Sequence, residues 1–432
     1  MPHLIARVSA MAIFLRNTWP LLLGMLLIML GNGLQGTLLG VRGAIENMDP
    51  STLGYVMSGY FIGFLGGSQI TPLLLRRVGH VRVFAALGSL VSAAFILYAA
   101  WVHPLGWMFL RFVVGFCMSG IYVVAESWLN DAADNQTRGK ALSLYLIVQM
   151  AGIVLGQVLL NLADPAGYAL FVLICVLVSL SFAPILLTAT ATPVFETSRP
   201  MTLIDLYKAS PLGCIGMFAL GGVFAAVFGM SAVYATARGM SIGEVSTFIT
   251  AIYIGGMVLQ YPIGWLSDRL DRRWLIIGVT TTCSLACVAV NYVDNTFTAL
   301  LVIAFILGGT SNPLYSLLIA YTNDFLENDQ MAAASGGMIF INGVGAMASP
   351  VIVGAVMAQV GPNGFFGFIG LLMIAVAVYG LYRMTQRATV DETGPFVMVP
   401  SRMSPVAVEI ATEIAIEEAE SGEEDPQQPA SN

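Results

Sequence analysis

Charge is what this 432-residue chain has least of: 10% of its residues are Asp, Glu, Lys or Arg, where a water-soluble domain carries about 25%. The mean hydropathy of +0.82 is equally foreign to a water-facing surface. Histidine is scarcer still, with His3, His80 and His103 in a terminus and two loops. No cysteine–histidine pair and no paired carboxylates appear at one depth, so the constellations of a membrane enzyme are missing. The five cysteines, Cys117, Cys175, Cys214, Cys283 and Cys287, all fall in apolar runs. Cys283 and Cys287 lie one helical turn apart without histidine or carboxylate neighbours, and read as small buried residues rather than metal ligands. No phosphate loop of the form G-x-x-x-x-G-K-[ST] occurs, so any work this chain does draws on a gradient rather than on nucleotide. No cofactor, metal or nucleic-acid partner is implied.

What the chain does have is long apolar runs, each about the 20 residues a helix needs to cross a ~30 Å hydrocarbon layer. Backbone polar groups in lipid must satisfy one another, so such runs are helices; the ~10-residue alternation of a membrane barrel is absent. Twelve spans are expected, at residues 19–41, 53–75, 81–102, 105–129, 139–162, 166–190, 211–236, 245–266, 274–293, 297–320, 334–358 and 364–385. The run from Trp19 is too long for a cleavable signal and ends in no small-residue cleavage pattern. The 45 glycines suit helices packed backbone to backbone. The expected architecture is an all-α integral membrane protein, monomeric and embedded in the lipid bilayer.

Lysine and arginine set the orientation. With the N-terminus inside, the inner segments hold 15 of the 18 basic residues, the outer loops hold Arg42 and Arg238, and Arg111 lies within a span. Both termini are therefore expected in the cytoplasm. Residues 191–210 form a polar cytoplasmic linker between an N-terminal six-helix half, 1–190, and a C-terminal half, 211–387. The halves repeat each other: Trp128-Leu129-Asn130-Asp131 mirrors Tyr321-Thr322-Asn323-Asp324 at an offset of 193, and the turn at Arg76-Arg77 mirrors Asp268-Arg269 at 192. Gly152 and Gly156 fall opposite Gly345 and Ser349, again at 193. Such pseudo-symmetric halves are one architecture of secondary transporters. Residues 388–432 are acidic, account for the net charge of −7, and are too polar to bury a core.

Particular residues then point to a family. Gly264-Trp265-Leu266-Ser267-Asp268-Arg269-Leu270-Asp271-Arg272-Arg273 resembles the loop signature of the major facilitator superfamily, and Arg111-Phe112-Val113-Val114-Gly115 resembles its fourth-helix Arg-x-x-x-Gly. The run from Arg111 to Trp128, with Gln260-Tyr261-Pro262-Ile263-Gly264, is most similar to the YcaD-type bacterial members. The resemblance covers about residues 15–385 and implies the twelve-helix major facilitator fold in a bacterial inner membrane. The first-half loop departs from it, with Arg76 where the pattern has aspartate and Pro72 where it has glycine; in the second, Asp271 replaces a glycine. Only the second copy keeps the aspartate through which the family grips a neighbouring helix.

Charge inside a membrane is rare and expensive, so each instance is a functional candidate. Arg111, Gly115, Ser119, Tyr122 and Glu126 follow helical spacing and form one polar stripe, expected to face a wet cavity. Arg111 reads either as a fixed charge that attracts an anion or senses a proton site, or as a structural arginine satisfied by helix-end carbonyls or snorkelling outward. Glu126, about 22 Å along the helix, reads either as a proton carrier or, preferably, as a gate residue pairing with Arg138 or the Arg76–Arg77 turn. Neutral cavity candidates are Asn32, Gln35, Ser119, Gln149, Asn312 and Asn342, with the tyrosines Tyr60, Tyr122, Tyr253 and Tyr315; any of these polar groups also serves as interhelical glue. Gly264, Asp268, Arg269, Arg272 and Arg273 are gating candidates, with topology-setting charge as the alternative. The expected function is a secondary active transporter moving a small solute by alternating access, with protons as a candidate coupling ion. Scarce carboxylates within the spans favour a neutral, zwitterionic or anionic cargo over multidrug-type efflux of lipophilic cations. A non-transporting scaffold or sensor has no use for intramembrane charge.

Overall fold

The computed structural model describes residues 2–132, 138–186, 201–292, 296–326 and 328–386, with side chains described from Thr18 onward except at 130–140, 327–329 and 332. The acidic tail, 388–432, lies outside the described residues. Among them every regular element is helical: α1 (Pro2–Ile45), α2 (Pro50–Val78), α3 (His80–Ala100), α4 (Pro104–Ala132), α5 (Arg138–Leu159), α6 (Ala169–Leu186), α7 (Leu203–Ala209), α8 (Pro211–Ala237), α9 (Ile242–Ser267), α10 (Arg272–Ala289), α11 (Phe297–Asn323), α12 (Asn328–Val360) and α13 (Gly364–Met384). Twelve have 18 residues or more, and each expected span falls on one of them. Ten are long and apolar enough to cross a membrane. The other two are less apolar: α2 is diluted by five glycines with Ser68, Gln69 and Thr71, and α10 opens on Arg272 and Arg273.

Two features differ from expectation. Helix α1 begins at Pro2 rather than near residue 19, since nothing before Pro20 breaks the helical run. The connecting segment contains the seven-residue α7, started by Thr202, whose hydroxyl accepts a bond from Asp205 N. The other ends follow local rules. Pro50 and Pro211 open α2 and α8, where the missing N–H costs nothing. Ser241 and Glu244 close a capping box on α9. Gly79, at φ 82°, both ends α2 and begins α3, a corner that a side chain would strain.

Within each set of six helices the same pairs pack: α2 on α4 as α9 on α11, α1 on α5 and α6 as α8 on α12 and α13, and α3 on α4 as α10 on α11. Glycine sets the closest of these contacts. A Cβ at Gly115 would sit 1.9 Å from Tyr60 O, and one at Gly308 would sit 1.8 Å from Ile252 O. The two glycines are 193 residues apart, so the sequence repeat reappears as a packing repeat.

Between the sets, α2 runs antiparallel to α12, α1 packs on α8, and α5 touches α9. These contacts are tightest at the end bearing the α1–α2, α5–α6, α8–α9 and α12–α13 turns. There a Cβ at Gly54 would lie 2.4 Å from Pro350 O and one at Gly354 would lie 2.3 Å from Pro50 O. Ser246 Oγ donates to Gln157 O at 2.7 Å in the same region. Below that seal, towards the end at which α1 begins and α13 finishes, the helices part around a central cavity.

Candidate functional site

The cavity, about 90 Å³ in volume, lies between α1, α2 and α4 on one side and α8, α9, α11 and α12 on the other. Its walls are mostly apolar, and Arg111 is the single charged side chain among the described residues that line it. Arg111 is only 3% exposed. Its Nη1 donates to Gln35 Oε1 at 2.9 Å, and its guanidinium lies over the Tyr60 ring, 4.9 Å from the centroid. The ring quadrupole and the amide oxygen together hold a charge that water would otherwise solvate. Gln35 is fully buried, and having turned its oxygen to Arg111 it leaves Nε2 without a hydrogen-bond partner among the described residues.

Of the expected cavity residues, Asn32, Gln35, Tyr60, Arg111, Tyr253, Tyr315 and Asn342 line this space. Asn342 Nδ2 also donates to Met217 O at 3.1 Å, tying α12 to α8. Four others sit elsewhere. Ser119 and Tyr122 are buried on α4, with Tyr122 Oη donating to Met29 Sδ at 3.4 Å. Gln149 is buried on α5, and Asn312 packs against Gly256. The polar stripe of α4 therefore does not face a wet cavity along its length. Gly115 lets the α2 backbone lie directly on α4 and cover the stripe, so only Arg111 reaches the cavity.

Aromatic side chains form the part of the wall that sequence reasoning passed over. Phe61 and Phe64 flank Tyr60 on α2, at ring separations of 5.4 and 5.9 Å. Opposite, Phe224, Phe228 and Tyr253 form a stack, with Phe228 and Tyr253 5.8 Å apart and inclined by 17°. A phenylalanine in an apolar helix gives no contrast to read. The four-residue spacing of Tyr60 and Phe64, and of Phe224 and Phe228, was the available signal.

Glu126 does not line the cavity. It is 1% exposed and accepts a hydrogen bond from Tyr145 Oη at 3.1 Å, inside the α4–α5 contact. Arg76 and Arg77 are exposed at the end of α2, and the side chain of Arg138 lies outside the described residues.

The α9–α10 corner gathers the remaining gating candidates. Arg272, 2% exposed, donates from Nε to Ser267 Oγ at 3.1 Å, from Nη1 to Ala320 O at 3.2 Å, and to the Asp324 carboxylate at the end of α11. Asp268 is half exposed and lies 3.9 Å from Arg272, so the link between helices runs through Arg272 and Asp324. Gly264 O accepts from Asp268 N at 3.3 Å, where α9 ends. Arg269 covers the Trp265 ring at 3.9 Å. Asp271 caps α10 by accepting from Arg273 N at 2.9 Å and pairs with its side chain at 2.7 Å. Burial pushes the Asp271 carboxyl up, but the Arg273 hydrogen bonds and charge outweigh it and hold the carboxyl below its ordinary value.

The first-half counterpart of Arg272, at an offset of 192, is His80. Expected in a loop, His80 is 1% exposed at the start of α3, with Nε2 3.0 Å from Ser127 Oγ on α4. The repeat offset would have found it.

Two repeated sets of membrane-length helices around a sparsely charged central cavity define a multi-pass membrane protein built as a transporter. The chain belongs to the Major Facilitator Superfamily, whose profile matches residues 21–241 and 212–408. It is 28% identical to an uncharacterized MFS-type transporter, YcaD, of Escherichia fergusonii, over 84% of this chain and 96% of that protein. A second MFS-type transporter, from Enterobacter sp. strain 638, is 27% identical over the same shares. Among solved structures, a point variant of the nucleoside transporter NupG superposes with a TM-score of 0.74 at 14% identity, covering 84% of this chain and 99% of that one. A bacterial homologue of the human lysosomal transporter Spinster, inward-facing and unoccupied, gives 0.62 at 12% identity, over 95% and 98%. At such identities the structural likeness is one of fold.

Proposed function

We propose that this chain is a secondary active transporter of the bacterial inner membrane that carries a small solute through the Arg111 cavity by alternating access. The units that rock are residues 1–190 and 211–387, joined by the linker 191–210, with both termini in the cytoplasm. One observation carries the reading: a buried guanidinium stands in an uncharged cavity between two helix sets that are sealed at one end. A charge held there costs several kcal/mol, which a static scaffold has no reason to keep. The seal lies on the side with few basic residues, so the conformation corresponds to the inward-facing state. The α9–α10 corner supports the gating part, since Arg272 ties it to α11 at the inner end. The absence of a carboxylate among the described cavity residues speaks against efflux of lipophilic cations.

The test is single-molecule distance measurement between labels at Val78 and Leu270, at the inner end, and separately at Ile45 and Ile242, at the outer end; all four are exposed. Each pair is expected to exchange between two distances, with the inner distance short when the outer is long. One fixed distance at both ends contradicts alternating access.

A further inference from the structure

Four polar side chains of the cavity wall are committed already. Thr37 Oγ1 donates to Gln157 Oε1 at 2.7 Å, Ser68 Oγ to Leu65 O at 2.8 Å, Asn342 Nδ2 to Met217 O at 3.1 Å, and Ser231 to Val227 O. A sugar or other polyhydroxy solute would lose its water here and recover few bonds from these four, and each unmatched polar group costs about 1–3 kcal/mol. Asn32 and the tyrosines Tyr60, Tyr253 and Tyr315 also line the wall, but charge is concentrated in one place. Arg111 supplies positive charge, and the neighbouring Gln35 Nε2 is a fully buried donor with no partner among the described residues. The Arg111–Gln35 bond fixes the amide so that its donor, not its acceptor, is the unspent group. Cation and donor side by side match the two oxygens of a carboxylate. The rest of the wall is aromatic from both sides, with Tyr60 and Phe64 on α2 facing the cavity that Phe228 and Tyr253 line from α8 and α9. Flat rings on two walls favour a flat apolar body, which they contact by stacking or by edge-to-face packing.

We infer that the solute is an aromatic monocarboxylate, its carboxylate bridging Arg111 and Gln35 Nε2 and its ring lying among Tyr60, Phe64, Phe228 and Tyr253. One cation without a second nearby selects a single negative charge, and the lack of a lining carboxylate leaves an amine without a counter-ion. This rests on the cavity being the transport site.

Titration calorimetry on the purified full chain in detergent tests it, with phenylacetate, 2-phenylethanol, phenethylamine, acetate and glucose as probes. Phenylacetate should bind, and 2-phenylethanol, which lacks the charge, should bind at least about tenfold more weakly. Phenethylamine, acetate and glucose should give no measurable heat. Arg111→Gln should erase the preference for phenylacetate over 2-phenylethanol. Gln35→Met, which leaves the charge in place should Arg111→Gln not fold, should weaken phenylacetate more than 2-phenylethanol. Binding of phenethylamine or glucose in preference to phenylacetate overturns the inference, as does acetate binding equally well or no probe binding at all. If the labelled distances still alternate in that event, the ligand class alone is lost; if they do not, the transport reading falls with it.

Discussion

The corner between α2 and α3 and the corner between α9 and α10 occupy equivalent places in the repeat, yet they are built from different chemistry. In the second, Arg272 is locked between Ser267, the Ala320 carbonyl and Asp324, and Asp271 and Arg273 clamp the start of the next helix. In the first, the buried position belongs to His80, which meets the Ser127 hydroxyl, while Arg76 and Arg77 point outward. A permanently charged arginine must keep its carboxylate or face an unpaired charge in low dielectric; a histidine–serine contact asks much less. Deeper in the bundle the halves agree, since Gly115 and Gly308 bring the same helix pair to the same closeness. The repeat is therefore conserved where backbones touch and released at the α2–α3 and α9–α10 corners. In the proposed cycle the second half acts as the stiff partner and the first as the compliant one.

Breaking the stiff corner should have the largest effect. Asp324→Asn leaves Arg272 buried without its partner charge and should cost roughly 3–5 kcal/mol, read as a fall in thermal stability in detergent. A loss below about 1 kcal/mol would mean the pair is not the anchor described. Gly115→Ala and Gly308→Ala force a Cβ against a backbone carbonyl and should each cost about 1–3 kcal/mol. Unequal costs would break the agreement claimed for the deeper packing. His80→Ala should cost about 1–3 kcal/mol, less than Asp324→Asn in the same assay. Asp271→Asn keeps a capping oxygen but loses the charge paired with Arg273, and should cost less than about 1 kcal/mol. Because the Asp271 carboxyl is held below its ordinary value, its contribution is present at neutral pH, persists down to the ordinary carboxylate range, and is lost as pH falls through the lowered value. Asp271→Asn should flatten that acid limb. Arg77→Gln, on the exposed face of the first corner, should change stability by less than about 0.5 kcal/mol.

The helices were legible because bilayer thickness imposes a length that shows in the sequence, and even α2 and α10, with their terminal arginines, stand out by that measure. The cavity was legible where a polar residue interrupts an apolar helix, as at Asn32, Gln35 and Arg111. It was illegible at Phe64 and Phe228, which resemble lipid-facing residues until their neighbours are known. The same contrast misled at Ser119 and Tyr122: helical spacing gives the face they share with Arg111, but the α2 backbone covers it through Gly115. His80 was missed because a histidine next to a glycine turn reads as a surface loop, whereas the corner folds it against α4.

The most direct test of the transport account is the sidedness of the cavity. A single cysteine at Ser68, which lines the cavity, would be placed in a chain stripped of its native cysteines and reconstituted in one orientation. A membrane-impermeant maleimide added to either face in turn would then read access. The account predicts labelling from both faces, faster from the face bearing the termini and slower from the face where α2 and α12 are sealed. Labelling from one face only, however long the exposure, would contradict it.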